Sequence, residues 1–243
     1  MKKCFAHRGW SGKAPENTMA AVQLALEQPI VKGIEIDVRL SKDGIPVVIH
    51  DGKLGRTCNG KGLVSDYTFR ELAQLDAGSW FSPQFAGEKI PSLEEVLLAI
   101  RGKKLLNIEI KTSWDFCPEI EKKVVEMVKK FDMEDQVYIT SFNHEVIRKI
   151  TELDSTVRTG LIIWGKPVLL EEQLEETGAT ILSINHEFLT PGFVSEVIER
   201  GITVIAWTVD DPVMIEKVSG FHPEIEICTN HPERILNIGK RRT

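Results

Sequence analysis

The chain has 243 residues and a formal net charge of −6, with 42% hydrophobic and 27% charged residues. That length suits one α/β barrel or two small domains, with enough apolar content for a sizeable core. The acidic balance argues against a general nucleic-acid binder, yet leaves room for a phosphate ligand, because local cations override the global sign.

In chain order, an apolar strand is predicted at 3–7 and a helix over 17–28, with Asn17 as an N-cap residue type. Strands follow at 33–38 and 46–49, joined only by the turn Ser41-Lys42-Asp43-Gly44. Parallel neighbours need a longer crossover, so 46–49 is read as an extra strand near the rim of a sheet or barrel. Residues 51–91 break the alternation and carry many glycines with Tyr67, Phe69, Trp80, Phe81 and Phe85. A segment of that size is read as an inserted cap subdomain over a barrel mouth.

Helix 92–101 opens on Ser92 with Glu95 three residues later, a capping-box pattern. The alternation then runs strand 105–110, helix 118–131, strand 137–141, helix 143–152, strand 158–163, helix 168–176, strand 180–184, helix 191–200 with Pro191 in its first turn, strand 202–207, helix 211–218 and strand 225–229. Runs such as Thr203-Val204-Ile205-Ala206-Trp207 suggest strands buried on both faces. This inventory fits an α/β (β/α)8 TIM barrel, a single domain over 1–243 with the cap insertion at about 51–91. A doubly wound open sheet is the structural rival.

Cys4, Cys58, Cys117 and Cys228 form no CxxC pair and are expected to be free thiols in a reducing compartment. The tail Lys240-Arg241-Arg242 reads as a solvated end. No apolar stretch is long enough for a signal peptide or membrane span, so no stable membrane insertion and a cytoplasmic location are expected. A homodimer is compatible with the sequence but not indicated by it.

Chemistry-bearing residues gather at the ends of the early strands. Glu35 and Asp37 are two apart, which on a strand puts both carboxylates on one face, about 6–7 Å apart. Glu109 sits in another apolar run, Leu105 to Ile110. Buried carboxylates repel one another unless a cation or donors compensate. Oxygen ligands without cysteine favour one hard divalent cation, Mg²⁺ or Ca²⁺. Simple pairing with Arg39 or Lys111 is the plainer alternative. Arg8 and Lys111 are candidates for holding a phosphate. His7 and His50 each end a strand and could act as proton donor and acceptor on opposite sides of a phosphorus. His144, His186, His222 and His231 lack that setting. Trp207 and Phe85 are candidates for lining a pocket, with Trp80 and Phe81.

The ordered motifs His7-Arg8-Gly9, Pro15-Glu16-Asn17-Thr18, Glu35-x-Asp37-Val38, Val48-x-His50-Asp51, Ile90-Pro91-x-Leu93-Glu94-Glu95 and Glu109-x-Lys111 resemble the glycerophosphodiester phosphodiesterase family. Arg56-Thr57-Cys58-Asn59-Gly60-x-Gly62 is similar to that family's insertion, and the match extends to Thr229-Asn230-His231-Pro232. The resemblance implies a (β/α)8 barrel with a cap and Mg²⁺ or Ca²⁺ on Glu35, Asp37 and Glu109. It implies His7 and His50 as the acid/base pair, with Arg8 and Lys111 near the phosphate. The implied substrates are small-molecule glycerophosphodiesters, cleaved to sn-glycerol 3-phosphate and an alcohol such as choline or ethanolamine. Two positions depart from the pattern: the family often has Asp where Asn230 stands and Asn where Asp210 stands. The rival readings are a phospholipid-acting phosphodiesterase on the same barrel and a non-catalytic glycerophosphodiester-binding protein.

Overall fold

A computed structural model describes residues 3–112 and 119–237; Cys117 and the basic tail lie outside the described residues. The strands are β1 Cys4–Ala6, β2 Val31–Leu40, β3 Pro46–Val48, β4 Leu105–Ile110, β5 Val137–Ser141, β6 Arg158–Ile163, β7 Ile181–Asn185, β8 Thr203–Trp207 and β9 Glu226–Thr229. The helices are α1 Met19–Leu26, α2 Phe69–Leu72, α3 Leu93–Ile100, α4 Ile120–Lys130, α5 His144–Leu153, α6 Leu170–Thr177, α7 Pro191–Glu199 and α8 Pro212–Ser219.

Neighbouring strands run in the order β1-β9-β8-β7-β6-β5-β4-β2, every pair parallel, and β1 pairs with β2 to close the ring. The closed sheet settles the (β/α)8 barrel against the doubly wound sheet. β3 is the extra strand: it pairs antiparallel with the last residues of β2, Val38 opposite Val48, as its four-residue turn dictates.

Alternation along each stave divides the core in two. On β4, Leu106, Ile108 and Ile110 point out to the helices and join a large cluster with Val96, Leu97, Val124 and Ile147. Inside the barrel, Phe5, Tyr138, Ile181, Ile205 and Cys228 form a separate plug. Gly33 makes room for it: a Cβ there would stand 2.1 Å from the Phe5 ring.

Helix starts are fixed largely as the sequence implies. Ser92 and Glu95 complete their capping box, Ser92 accepting from the Glu95 N–H at 3.2 Å and Glu95 accepting from the Ser92 N–H at 2.7 Å. Thr190 caps α7 ahead of Pro191. One expectation is corrected: Thr18, not Asn17, caps α1. Asn17 takes a left-handed conformation, φ 59°, and sends its side chain into the barrel instead.

Residues 51–91 form an irregular lobe with short turns of helix and its own apolar cluster, Leu54, Cys58, Val64, Leu72, Ala77 and Ile90 packed on Val47 and Ile49 of the β3 segment. No helix among the described residues is long and apolar enough to cross a membrane.

Candidate active site

The strand ends converge on one cavity of about 290 Å³, at the C-terminal end of the staves, where barrels of this kind gather their functional side chains. His7, Arg8, Glu35, His50, Glu109, Lys111 and Trp207 line it. Phe85 does not: its ring packs edge-on against Phe81, and Phe81 on Trp80, in the inserted lobe. None of the cavity-lining residues comes from 51–91, so the lobe does not form a wall of this cavity. The remaining histidines serve locally; His144 faces the Ile162 carbonyl and His231 faces Glu233.

Glu35 and Asp37 on β2 and Glu109 on β4 are all buried, and one oxygen from each lies within 4.8 Å of the others. Burial pushes the Glu35 carboxyl well above the usual carboxylate range, and the neighbouring Asp37 and Glu109 add to it. Burial, with Asp37, raises Glu109 to about 7. Asp37 behaves oppositely: burial opposes its charge, but Lys111 and Arg8 outweigh that and hold its carboxyl below the usual range. Lys111 Nζ stands 3.1 Å from Asp37 Oδ1 and pairs with Glu109 Oε1. Buried Glu35 Oε1 has no hydrogen-bond donor. An oxygen-only cluster with an unpartnered buried carboxylate oxygen fits a hard divalent cation.

The turn after β1 is held in strained geometry. Arg8 has φ 55° and Gly9 φ 76°; a Cβ on Gly9 would meet the Ala21 backbone at 2.6 Å. This brings the Arg8 N–H to Glu35 Oε2 at 2.8 Å and the Arg8 guanidinium to Asp37 Oδ2 at 3.1 Å and Glu16 Oε1 at 2.7 Å. Such outliers persist only where surrounding contacts over-determine them. Asn17 supplies further contacts, donating to Asp37 Oδ2 at 2.8 Å and accepting from the Asp37 N–H at 3.2 Å.

The two histidines have different partners. His7 Nδ1 faces the neutral amide oxygen of Asn230 at 2.7 Å, and burial with the nearby Arg8 lowers its pKa to about 4. His50 Nδ1 faces the Asp51 carboxylate at 2.6 Å. Asp51 is in turn gripped by Arg56, which also forks onto Glu16 with two contacts of 2.8 Å. Burial opposes the Asp51 charge, but donors from Arg56 and His50 prevail and lower its pKa to about 2.

The charged and imidazole groups around the cavity are legible in the sequence; Phe142, Trp164 and Tyr138 of its lining, and several polar groups behind it, are not. Asn17 was hidden by its cap-like position, and Arg56 by the irregular lobe. Tyr138, whose buried hydroxyl has no partner, looked like an ordinary strand aromatic. The two departures from the family pattern prove to be neighbours: Asn230 Nδ2 donates to Asp210 Oδ2 at 2.6 Å.

Residues 7–233 match the model of the glycerophosphoryl diester phosphodiesterase family. A glycerophosphodiester phosphodiesterase of Caldanaerobacter subterraneus subsp. tengcongensis is 38% identical over 98% of this chain and 97% of its own. Human glycerophosphodiester phosphodiesterase 1 is 31% identical over 85% of this chain and 71% of its own length. Among solved structures, an Oleispira antarctica phosphodiesterase in complex with the product sn-glycerol 3-phosphate superposes with TM-score 0.91 at 34% identity, covering 98% of this chain and 96% of that one. The barrel, the converging motifs and these relatives agree, and the chain belongs to the glycerophosphoryl diester phosphodiesterase family.

Proposed function

We propose that this protein hydrolyses glycerophosphodiesters to sn-glycerol 3-phosphate and an alcohol, with His7 and His50 as proton carriers. The observation that carries the reading is the meeting of both histidines, Arg8, Lys111 and two of the three clustered carboxylates, Glu35 and Glu109, on one cavity, with Asp37 buried directly behind.

Glu35, Asp37 and Glu109 would hold one divalent cation, Mg²⁺ or Ca²⁺. Such an ion supplies charge neutralisation and Lewis acidity toward a phosphate oxygen. Lys111 and Arg8 then face the phosphate as fixed cations, already oriented by their carboxylate partners. His7 takes the proton of the substrate's glycerol 2-hydroxyl as that oxygen attacks phosphorus. His50 gives a proton to the departing alcohol oxygen. Water then opens the resulting cyclic phosphate with the two roles reversed. The unequal partners support this assignment: burial lowers both histidines, but the Asp51 carboxylate offsets part of that for His50, whereas Asn230 offers His7 only a neutral acceptor.

A positioned general acid or base contributes roughly 10²–10⁴-fold to rate. His7→Ala and His50→Ala are therefore each expected to lose about that much turnover while keeping the wild-type circular dichroism spectrum. Full activity in either folded variant would sink the two-histidine reading.

A further inference from the structure

Behind His7 stands a chain of polar groups that the proposed reaction does not use. Asn230, after β9, has its side-chain amide oriented by what surrounds it. Nδ2 lies 2.6 Å from Asp210 Oδ2, and a carboxylate can only accept, so the amide nitrogen must be the atom facing it. Turned the other way, an amide oxygen would stand against a carboxylate oxygen at the same distance. The opposite atom, Oδ1, therefore faces His7 Nδ1 at 2.7 Å. It also lies 2.6 Å from the Ser11 hydroxyl, which reaches the His7 carbonyl at 2.7 Å.

Asp210 is itself fixed. Its Oδ1 accepts from the Asn230 N–H at 2.8 Å and from the Thr229 hydroxyl at 2.9 Å. Its main-chain carbonyl accepts from Arg234 at 2.6 Å. An amide oxygen only accepts, so the His7 nitrogen against it must carry the hydrogen. The other ring nitrogen, Nε2, 3.8 Å from Glu35, is left with its lone pair.

We infer that Asn230, oriented by Asp210, is a positioning residue that holds His7 as its Nδ1–H tautomer and fixes the ring plane, so that Nε2 presents a lone pair to the substrate hydroxyl. The inference rests on the reading of His7 as a proton carrier, and adds to it the device that selects the active nitrogen. The device depends on one amide and one carboxylate in contact, and its logic survives their exchange. A carboxylate at 230 still accepts from Nδ1–H, and an amide at 210 can donate to it while its oxygen serves Thr229 and the 230 N–H.

The test combines kinetics with the imidazole nitrogen chemical shifts of histidine-labelled protein at mildly alkaline pH, with His7 assigned by its loss in His7→Ala. In the wild type His7 should show a protonated Nδ1 and an unprotonated Nε2. Asn230→Ala should mix the tautomers and lower kcat by about 10–100-fold, the scale known for the outer partners that orient metal-ligating histidines. Asn230→Asp alone should fall comparably, since two carboxylates would then meet at the 210–230 contact. The double variant D210N/N230D should recover most of kcat together with the wild-type tautomer, the second being a readout that a merely structural role of the 210–230 contact would not move. The inference is overturned if Asn230→Ala keeps both tautomer and rate, or if the double variant is as slow as Asn230→Asp. An active His7→Ala would instead remove the reading of His7 itself, whatever the tautomer.

Discussion

Glu109 carries opposite consequences with and without a cation. Buried beside Asp37, its carboxyl is pushed up to about 7, so its charge is a liability to the bare fold. In EDTA, Glu109→Gln is therefore expected to raise the melting temperature. With excess Mg²⁺ the order reverses, because only the wild type keeps the full carboxylate set; equal responses of the two proteins to Mg²⁺ would contradict a site on Glu109. The buried thiols give a second test. Burial raises Cys4 to about 12 and Cys228 well above the ordinary thiol range. An unfolded thiol ionises from about pH 8.5 while these cannot, so the unfolded chain binds fewer protons there and stability falls as pH rises. Urea midpoints should decline above that pH, and the decline should flatten in C4A/C228A. Single residues such as Glu35, Asp37 and Glu109 were legible because charge in an apolar strand demands an explanation. Asn17, Arg56 and the 210–230 contact were not, because their meaning lies in partners distant in sequence.

Elements were legible where one physical rule dominates. The parallel staves declared themselves as apolar runs, and β3 as an extra strand, because a four-residue turn from β2 permits only an antiparallel return. Ser92→Ala, which removes the α3 cap, should lower unfolding free energy by about 1 kcal/mol in denaturant titration, with activity unchanged. The inserted lobe followed no such rule; its cluster of Leu54, Val64, Leu72 and Ile90 has neither helix nor strand period. It meets the site through Asp51, which faces His50, and through Arg56, which joins Asp51 to Glu16. Arg56→Ala is expected to lower kcat by about 10-fold or more through a loosened His50, with a smaller change in melting temperature than Leu72→Ala in the lobe's cluster. A kcat equal to wild type would show that His50 needs no such support.

At the scale of the whole molecule, the barrel turns separate sequence motifs into one surface. Residues near positions 7, 35, 50 and 109 come together because β1, β2 and β4 are adjacent staves and β3 returns antiparallel along the end of β2. An ion on Glu35, Asp37 and Glu109 would tie β2 to β4 within the closed ring, so saturating metal should stabilise the fold, by about 2.7 kcal/mol at a hundred times Kd. The central claim is metal-dependent cleavage of glycerophosphodiesters at this rim. Its most direct test is release of sn-glycerol 3-phosphate from glycerophosphocholine by the purified protein in EDTA, Mg²⁺ or Ca²⁺. Release with a divalent ion and its loss in EDTA is the expected result; no release with either ion from the choline, ethanolamine or glycerol diesters would contradict the account.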